Sequence, residues 1–217
     1  MAFRKPPVVS GVGLVVSLFG PPLVAFVFRN AAPGDVAANL AAQSCLVLVV
    51  SAVLLIVRFG ERRPLSAIGL RPPRASTVIW AALLTAGYVF VATPPMRAVL
   101  RRVDTSGFEP TLRQLAALPV WYRIAIVVLG GTIEDVLYRG YAFERLSLYL
   151  RGTWAAAIVS SLIFAYAHAP LWGLGVSSAL VIPALLGGLF YLWRRDLAAN
   201  IIAHVVTDLL GVVVFNP

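Results

Sequence analysis

The chain has 217 residues, of which 60% are hydrophobic and 12% are charged, and its mean hydropathy is +0.88. No soluble domain of this size needs so much apolar sequence, so the composition predicts a polytopic membrane protein. The net charge of +9 comes from basic residues at the ends of apolar runs, which is how arginine anchors membrane helices. Nucleic acid is therefore not an expected partner. The single cysteine, Cys45, excludes a disulfide framework and a cysteine-based metal cage.

Seven apolar stretches approach the length of about 20 residues that a membrane-spanning helix needs. They cover residues 8–28, 38–57, 77–96, 119–143, 154–170, 176–193 and 197–215. The first stretch contains Pro21 and Pro22, where we expect a kink or a break. The sequence thus predicts an all-α fold, a polytopic transmembrane bundle of about seven to eight helices, in a single domain over residues 1–217.

Charged connectors suggest how the bundle is oriented. Arg4 and Lys5 precede the first stretch, and five arginines follow the second, which places both segments on the cytoplasmic side (the five are Arg58, Arg62, Arg63, Arg71 and Arg74). The third connector, 97–119, should then be external, although it also carries four arginines. Two explanations remain open at this stage. Either the connector forms an interfacial amphipathic segment, or one span is miscounted.

The first polar cluster is in the stretch GGTIEDVLYRG, residues 130–140. Asp135 and Arg139 are four residues apart and can pair on one face of a helix, while Glu134 points about 100° away and stays free. A charge in the middle of a bilayer costs roughly 2.5–3.5 kcal/mol, so a retained carboxylate suggests a function. The alternative is a solvated salt bridge at a helix end, because further charges follow within residues 144–151.

Two further clusters contain both histidines of the chain. Phe164 and His168 are four residues apart at the end of one apolar run, and His204 and Asp208 have the same spacing inside another. Each pair therefore shares one face of its helix. A single intramembrane histidine is often only a hydrogen-bonding residue between helices. Here three separate helices each present acid or base groups, so we expect these groups to converge on one water-accessible cavity in the bundle.

These residue types suit hydrolysis. A carboxylate such as Glu134 can take a proton from water, and imidazoles can orient that water or donate to an oxyanion. The serines lie in no G-x-S-x-G context, and the H-E-x-x-H motif is absent. A zinc site on Glu134, His168 and His204 is a chemical alternative, because two histidines and one carboxylate suffice for catalytic zinc.

Taken together and in this order, the three clusters resemble the signature of the CPBP family, the CAAX proteases and bacteriocin-processing enzymes. That signature reads E-E-x-x-x-R, then F-x-x-x-H, then H-x-x-x-N/D on successive transmembrane helices. The stretch SAIGLRPP, residues 66–73, is similar to the run-in to the family core, so the resemblance covers about residues 60–217. It implies a CAAX prenyl protease-like intramembrane endopeptidase, of class EC 3.4, that acts on membrane-associated proteins or peptides.

The resemblance also implies roles for individual catalytic residues. Glu134 and His168 would activate the water, while His204 and Asp208 would lie on the oxyanion side. Many members of the family have asparagine where this chain has Asp208. A carboxylate there stabilises an oxyanion only if it is protonated or orients a donor.

Three other residues would support the site structurally. Arg139 would hold the second acid of the motif, which is Asp135 here instead of the usual glutamate, and Phe164 belongs to the second motif. No cofactor is expected, with zinc on Glu134 and the two histidines as the alternative.

Two other functions stay open. A chain with this fold need not be catalytic, so a membrane scaffold or chaperone is the first alternative. A proton-coupled transporter with buried acids and histidines as relay groups is the second, although no inverted repeat supports it. The expected location is the plasma membrane, as a multi-pass protein, and the Ala/Arg-rich composition suggests a bacterium. The expected partners are membrane lipid and a protein or peptide substrate.

Overall fold

The computed structural model describes residues 8–30 and 35–214, and this part of the chain contains eight continuous helices and no strand. In chain order they are α1 Val8–Phe28, α2 Val36–Gly60, α3 Ala75–Leu100, α4 Phe108–Ala116, α5 Val120–Glu134 continuing through Asp135–Ala142 and Phe143–Tyr149, α6 Thr153–Tyr166, α7 Ala169–Arg194, and α8 Leu197–Leu209 continuing through Leu210–Val214. The predicted all-α bundle of about seven to eight helices is confirmed.

Helix length and composition identify a multi-pass membrane protein. Four helices, α1, α2, α3 and α7, are long and apolar enough to cross a bilayer, and α6 and α8 are shorter apolar helices. Their outward faces carry large exposed apolar side chains, such as Phe19, Leu48, Phe90 and Leu174. Lipid solvates such faces, so they need no protein partner.

Helix α5 is the centre of the bundle. It packs against α1, α2, α6 and α8, and its residues Leu137, Tyr138, Tyr141 and Phe143 are at most 1% exposed. The helix is not regular throughout, because residues Asp135–Ala142 form a π-helical stretch. Polar residues inside an otherwise apolar bundle are therefore concentrated on a helix with neighbours on several sides. This position brings side chains of α5 close to those of α6 and α8.

The third connector contains the short helix α4, Phe108–Ala116. None of its residues is buried, and the ring of Phe108 contacts that of Trp172 on α7 at a centroid distance of 5.1 Å. A short, exposed helix with both arginine and leucine on its surface suits the membrane–water boundary. The structure thus favours the interfacial explanation for this connector.

Two apolar stretches were expected to be interrupted, one at Pro21 and Pro22 and one at residues 171–175. The first helix does not break at its prolines, because α1 is helical from Val8 to Phe28 with Pro21 and Pro22 inside it. The fifth and sixth spans are interrupted at Gly173, inside the predicted gap at residues 171–175. Helix α7 runs from Ala169 to Arg194, but the φ of 79° and ψ of 168° at Gly173 are not helical and divide it there. Only glycine adopts this conformation without strain.

A buried ion pair at the end of α2 links α1, α2 and α5. Glu61, directly after α2, accepts hydrogen bonds from Ser10 of α1 (2.6 Å) and from Tyr141 (2.9 Å) and Arg145 of α5 (2.9 Å). The side chains of Glu61 and Arg145 are each 2% exposed. Burial alone would raise the pKa of the Glu61 carboxyl, but the bonds from Arg145, Ser10 and Tyr141 hold that pKa below its ordinary value of 4.5.

Candidate active site

The carboxylate of Glu134 lies between the two imidazoles of the chain. Its Oε1 is 3.7 Å from Nε2 of His168, and its Oε2 is 3.8 Å from Nε2 of His204. Glu134 is on α5, His168 precedes α7, and His204 is on α8, so three separate segments meet here. Both distances are slightly longer than a hydrogen bond. A water on the open side can therefore contact the carboxylate and an imidazole together.

His204 has carboxylates beside both ring nitrogens. Its Nε2 is 3.5 Å from Oδ2 of Asp208, one turn along α8, and its Nδ1 is 3.6 Å from Oδ2 of Asp135 on α5. With Glu134 included, three acids lie within 3.8 Å of this ring. A carboxylate only accepts hydrogen bonds, so carboxylates beside both nitrogens favour an imidazole that carries a hydrogen on each nitrogen. His204 is thus placed as a donor.

Asp135 is the fully buried member of the site. Its side chain is 0% exposed and pairs with Arg139, one turn later on α5, as the sequence predicts. The guanidinium of Arg139 lies over the ring of Phe164 at 4.7 Å from the centroid. A buried carboxylate needs a charged partner, and the aromatic face adds a favourable cation–π contact. The pair fixes Asp135 where it faces Nδ1 of His204.

His168 is held on both sides. Its Nδ1 is 3.0 Å from the carbonyl oxygen of Phe164, which can only accept, so Nδ1 carries the hydrogen. In the neutral ring Nε2 then has a lone pair directed toward Glu134. The indole of Trp172 stacks on the imidazole at 4.8 Å with an interplanar angle of 21°. The ring orientation of His168 is therefore set by its neighbours.

Trp172 is a site residue that the motif analysis missed. Its ring touches His168 on one side and Phe108 of α4 on the other, so it connects the interfacial helix with the imidazole. The spacing Phe164, His168, Trp172 is a regular four-residue step, and this signal was available in the sequence. Without a structure, the same step is equally typical of apolar packing.

Gly131 explains how α8 comes so close to α5. A Cβ atom at this position would lie 3.1 Å from Cγ2 of Val205 and 3.7 Å from the ring of His204. Any larger side chain would push α8 outward and separate His204 from Glu134. Gly131 thus has a local structural reason, whereas a Cβ atom at Gly130 would have no neighbour within 4 Å.

The structure brings together all four residues predicted for the site. The side chain of Asp208 is 47% exposed and that of Glu134 is 28% exposed, whereas those of His168 and His204 are 16% and 14% exposed. The cluster is therefore accessible from the Asp208 side and closed by the bundle on the other. The predicted supporting residues, Asp135, Arg139 and Phe164, line the closed side.

The zinc alternative from the sequence concerns Glu134, His168 and His204. Two histidines and a carboxylate are a donor set that catalytic zinc accepts. Within the described residues, however, no group of three or more His, Cys, Asp or Glu side chains is arranged so that it could hold a metal ion. Nε2 of His204 is shared between Glu134 and Asp208. Zinc on Glu134 and the two histidines would need these side chains to rearrange.

Comparison with known proteins identifies the class of this site. Residues 116–210 match the family model described as Rce1-like, "Type II CAAX prenyl endopeptidase Rce1-like". The match spans all three motifs and confirms the resemblance predicted from them. This part of the chain, with α5 to α8, is similar to the Rce1-like family of type II CAAX prenyl endopeptidases. No curated protein and no solved structure matches the chain.

Proposed function

We propose that this protein is an intramembrane endopeptidase that hydrolyses peptide bonds of membrane-associated proteins or peptides with a water activated by Glu134. The Rce1-like match supports a CAAX-type intramembrane protease in general. One observation carries the finer assignment, namely the Glu134 carboxylate between the Nε2 atoms of His168 and His204. A carboxylate in this position has an imidazole acceptor on one side and an imidazole donor on the other.

In the proposed reaction Glu134 is the general base. It takes one proton from a water that the lone pair of His168 Nε2 orients, and the water oxygen attacks the scissile carbonyl carbon. A C–O bond forms, the carbonyl π bond breaks, and the tetrahedral intermediate carries the charge on its oxygen. Glu134 then passes its proton to the amide nitrogen as the C–N bond breaks. The products are a carboxylic acid and an amine, and Glu134 is regenerated.

His204 supplies the hydrogen bond to the developing oxyanion. Asp135 occupies its Nδ1 side, which leaves Nε2 on the side of Glu134 and the substrate. A fixed donor of this kind acts most strongly in a site that excludes water, and loss of one typically lowers the rate by about 100- to 1,000-fold. Asp208 keeps Nε2 of His204 oriented and marks the open side of the site.

The proposed substrate is a protein or peptide that reaches the site from the membrane. Membrane lipid surrounds the helix bundle and is the second proposed partner. No cofactor takes part in this proposal. We also place the protein in the plasma membrane of a bacterium, because the chain is apolar, basic and rich in alanine and arginine. Nucleic acid has no role, since the arginines are spread over the helix ends.

The test is a cleavage assay with purified protein in lipid vesicles. The probes are quenched fluorogenic peptides, one with a prenylcysteine tail and one with a plain transmembrane anchor. Glu134→Gln should lose nearly all activity, because the amide keeps the shape but accepts no proton, whereas His204→Ala should retain a trace. Glu109→Gln, at an exposed glutamate on α4, is the matched control and should cleave like wild type.

Two results would overturn the proposal. Full cleavage by Glu134→Gln would exclude Glu134 as the base. Stoichiometric zinc in the purified protein, together with loss of activity in chelator, would show that the mechanism is not metal-free. If wild-type protein leaves both peptides intact, and mass spectrometry of total membrane proteins incubated with it finds no new peptide termini, the scaffold function takes precedence.

A further inference from the structure

Tyr88 carries a buried hydroxyl that the proposed reaction does not use. The residue is on α3, in the π-helical stretch Gly87–Ala92, and lies outside the matched residues 116–210. It is 4% exposed, and among the described residues its hydroxyl has no hydrogen-bond partner. An unpaired buried polar group costs about 1–3 kcal/mol. Such a group in a folded protein calls for an explanation.

The hydroxyl of Tyr88 and the guanidinium of Arg139 both lie close to Gly187 on α7. A Cβ atom at Gly187 would lie 2.3 Å from the Tyr88 hydroxyl oxygen, 2.8 Å from Nε of Arg139 and 3.0 Å from one of its terminal nitrogens. The two polar groups therefore occupy the same small space, which only glycine leaves open. We call this space the Gly187 notch. It brings α3, α5 and α7 together.

Arg139 has a neighbour on each side of its guanidinium. The ring of Phe164 lies under it at 4.7 Å, the carboxylate of Asp135 pairs with it, and the Gly187 notch places Tyr88 beside Nε. Arginine offers five donors, and the pair with Asp135 does not use them all. The tyrosine oxygen has lone pairs and can attract the remaining donors. Removal of this oxygen leaves the guanidinium free to turn within its pocket.

We propose that Tyr88 is a positioning residue for His204, acting through Arg139 and Asp135. This inference rests on the proposed function, since it assigns a partner to the same site. The Tyr88 oxygen holds the guanidinium toward Asp135, and Asp135 in turn faces Nδ1 of His204 at 3.6 Å. Tyr88 touches no reacting atom. It sets the orientation of the oxyanion donor from outside the segment that carries the three motifs.

A purely structural role for Tyr88 makes a different prediction. If the ring only fills space between α3 and α7, phenylalanine at this position keeps the packing and removes an unpaired buried hydroxyl. Stability then rises or stays unchanged, and neither His204 nor turnover is affected. The two roles thus differ at His204, where a spectroscopic measurement separates them.

The experiment uses the full chain with ¹⁵N-labelled histidine in detergent micelles. The chain has two histidines, so the spectrum contains two imidazoles, which His168→Ala assigns. Tyr88→Phe should shift the Nδ1 and Nε2 signals of His204 and leave those of His168 in place. Tyr122→Phe is the matched control, because Tyr122 is also buried with an unpartnered hydroxyl in the described residues. It should move neither histidine.

Turnover provides the second measurement. Tyr88→Phe should lower kcat by about 10- to 100-fold, as loss of an outer supporting contact does, with KM within about twofold of wild type. Gly187→Ala fills the Gly187 notch, and it should shift the same His204 signals without deletion of any polar group.

The results separate this inference from the proposed function. His204 signals that stay unchanged in both Tyr88→Phe and Gly187→Ala overturn the positioning role, as does an equal shift of both histidines. If His204 moves as expected while wild-type protein cleaves no substrate, the contact stands and the protease function fails.

Discussion

Nδ1 of His204 and Oδ2 of Asp135 lie 3.6 Å apart, and both atoms are buried without a hydrogen-bond partner among the described residues. Each atom is thus the nearest available complement of the other. The motif analysis assigned Asp135 to Arg139 as a structural pair. The structure gives its second oxygen a further neighbour, so one carboxylate links the cation of α5 with the imidazole of α8.

This relationship predicts that Asp135→Asn impairs catalysis. The amide is isosteric, but it pairs poorly with Arg139 and no longer favours a hydrogen on Nδ1 of His204. In enzymes where a carboxylate fixes a catalytic histidine, the corresponding change costs up to about 10⁴-fold in kcat. We expect a loss of at least about 100-fold in the vesicle cleavage assay. A variant that folds and turns over at the wild-type rate would show that Asp135 does not orient His204.

Arg139→Ala should destabilise the protein. It leaves the carboxylate of Asp135, which is 0% exposed, without its cation, and removal of one partner of a buried pair costs about 3–5 kcal/mol. The measurement is thermal unfolding in detergent together with the folded yield. Arg113→Ala, at an exposed arginine on α4, is the control and should unfold like wild type. Equal melting temperatures for the two variants would contradict a stabilising pair.

Asp208 can be tested by two substitutions. Asparagine keeps an acceptor for Nε2 of His204 and adds an NH₂ donor for the oxyanion, so Asp208→Asn should cleave within about tenfold of wild type. Asp208→Ala has neither group, so its cleavage rate should be about 10- to 100-fold lower than that of Asp208→Asn. Both variants should fold, because this side chain is 47% exposed. An inactive asparagine variant would show that the carboxylate itself is required.

The Glu61–Arg145 pair predicts a pH-dependent effect on stability. The folded pKa of Glu61 is below the ordinary value of 4.5, so the ionised form stabilises the fold. That stabilisation is fully present above the unfolded pKa and is lost as the pH falls through the folded pKa. Glu61→Gln should therefore lower the free energy of unfolding at pH 7 by about 3–5 kcal/mol. The difference from wild type should shrink as the pH falls below 4.5.

Thermal melts of wild type and Glu61→Gln between pH 3 and pH 7 test this expectation. Glu109→Gln, at an exposed site, serves as the control and should track wild type throughout. In the contrary case, the melting temperatures of Glu61→Gln and wild type differ by the same amount at pH 3 and at pH 7. That result would mean that ionisation of Glu61 does not stabilise the fold.

The sequence was sufficient for the helices and for the four residues at the centre of the site. Long apolar runs report membrane helices directly, and the four-residue spacings report which side chains share a face. Helix ends were less accurate. The fifth apolar stretch was expected to reach residue 170, whereas α6 ends at Tyr166 and α7 begins at Ala169.

The contacts that the sequence could not predict join helices that are distant in the chain. Tyr88 and Arg139 both lie close to Gly187, and Glu61 and Arg145 are 84 residues apart. Nothing in the local pattern around Tyr88 distinguishes it from a membrane-packing tyrosine. Such pairs depend on the rotation of each helix about its axis, which helix packing fixes and hydropathy does not.

The π-helical stretch of α5, Asp135–Ala142, has a consequence for chain length. A π-helical turn accommodates an extra residue without interrupting the helix, and such turns often occur at functional sites. Removal of one residue from this stretch would return it to a regular α-helical turn, so Arg145 beyond it would stay on the same face of α5. Glu134, before the stretch, would keep its place. The stretch thus separates the number of residues between Glu134 and Arg145 from the faces of α5 that these two residues occupy.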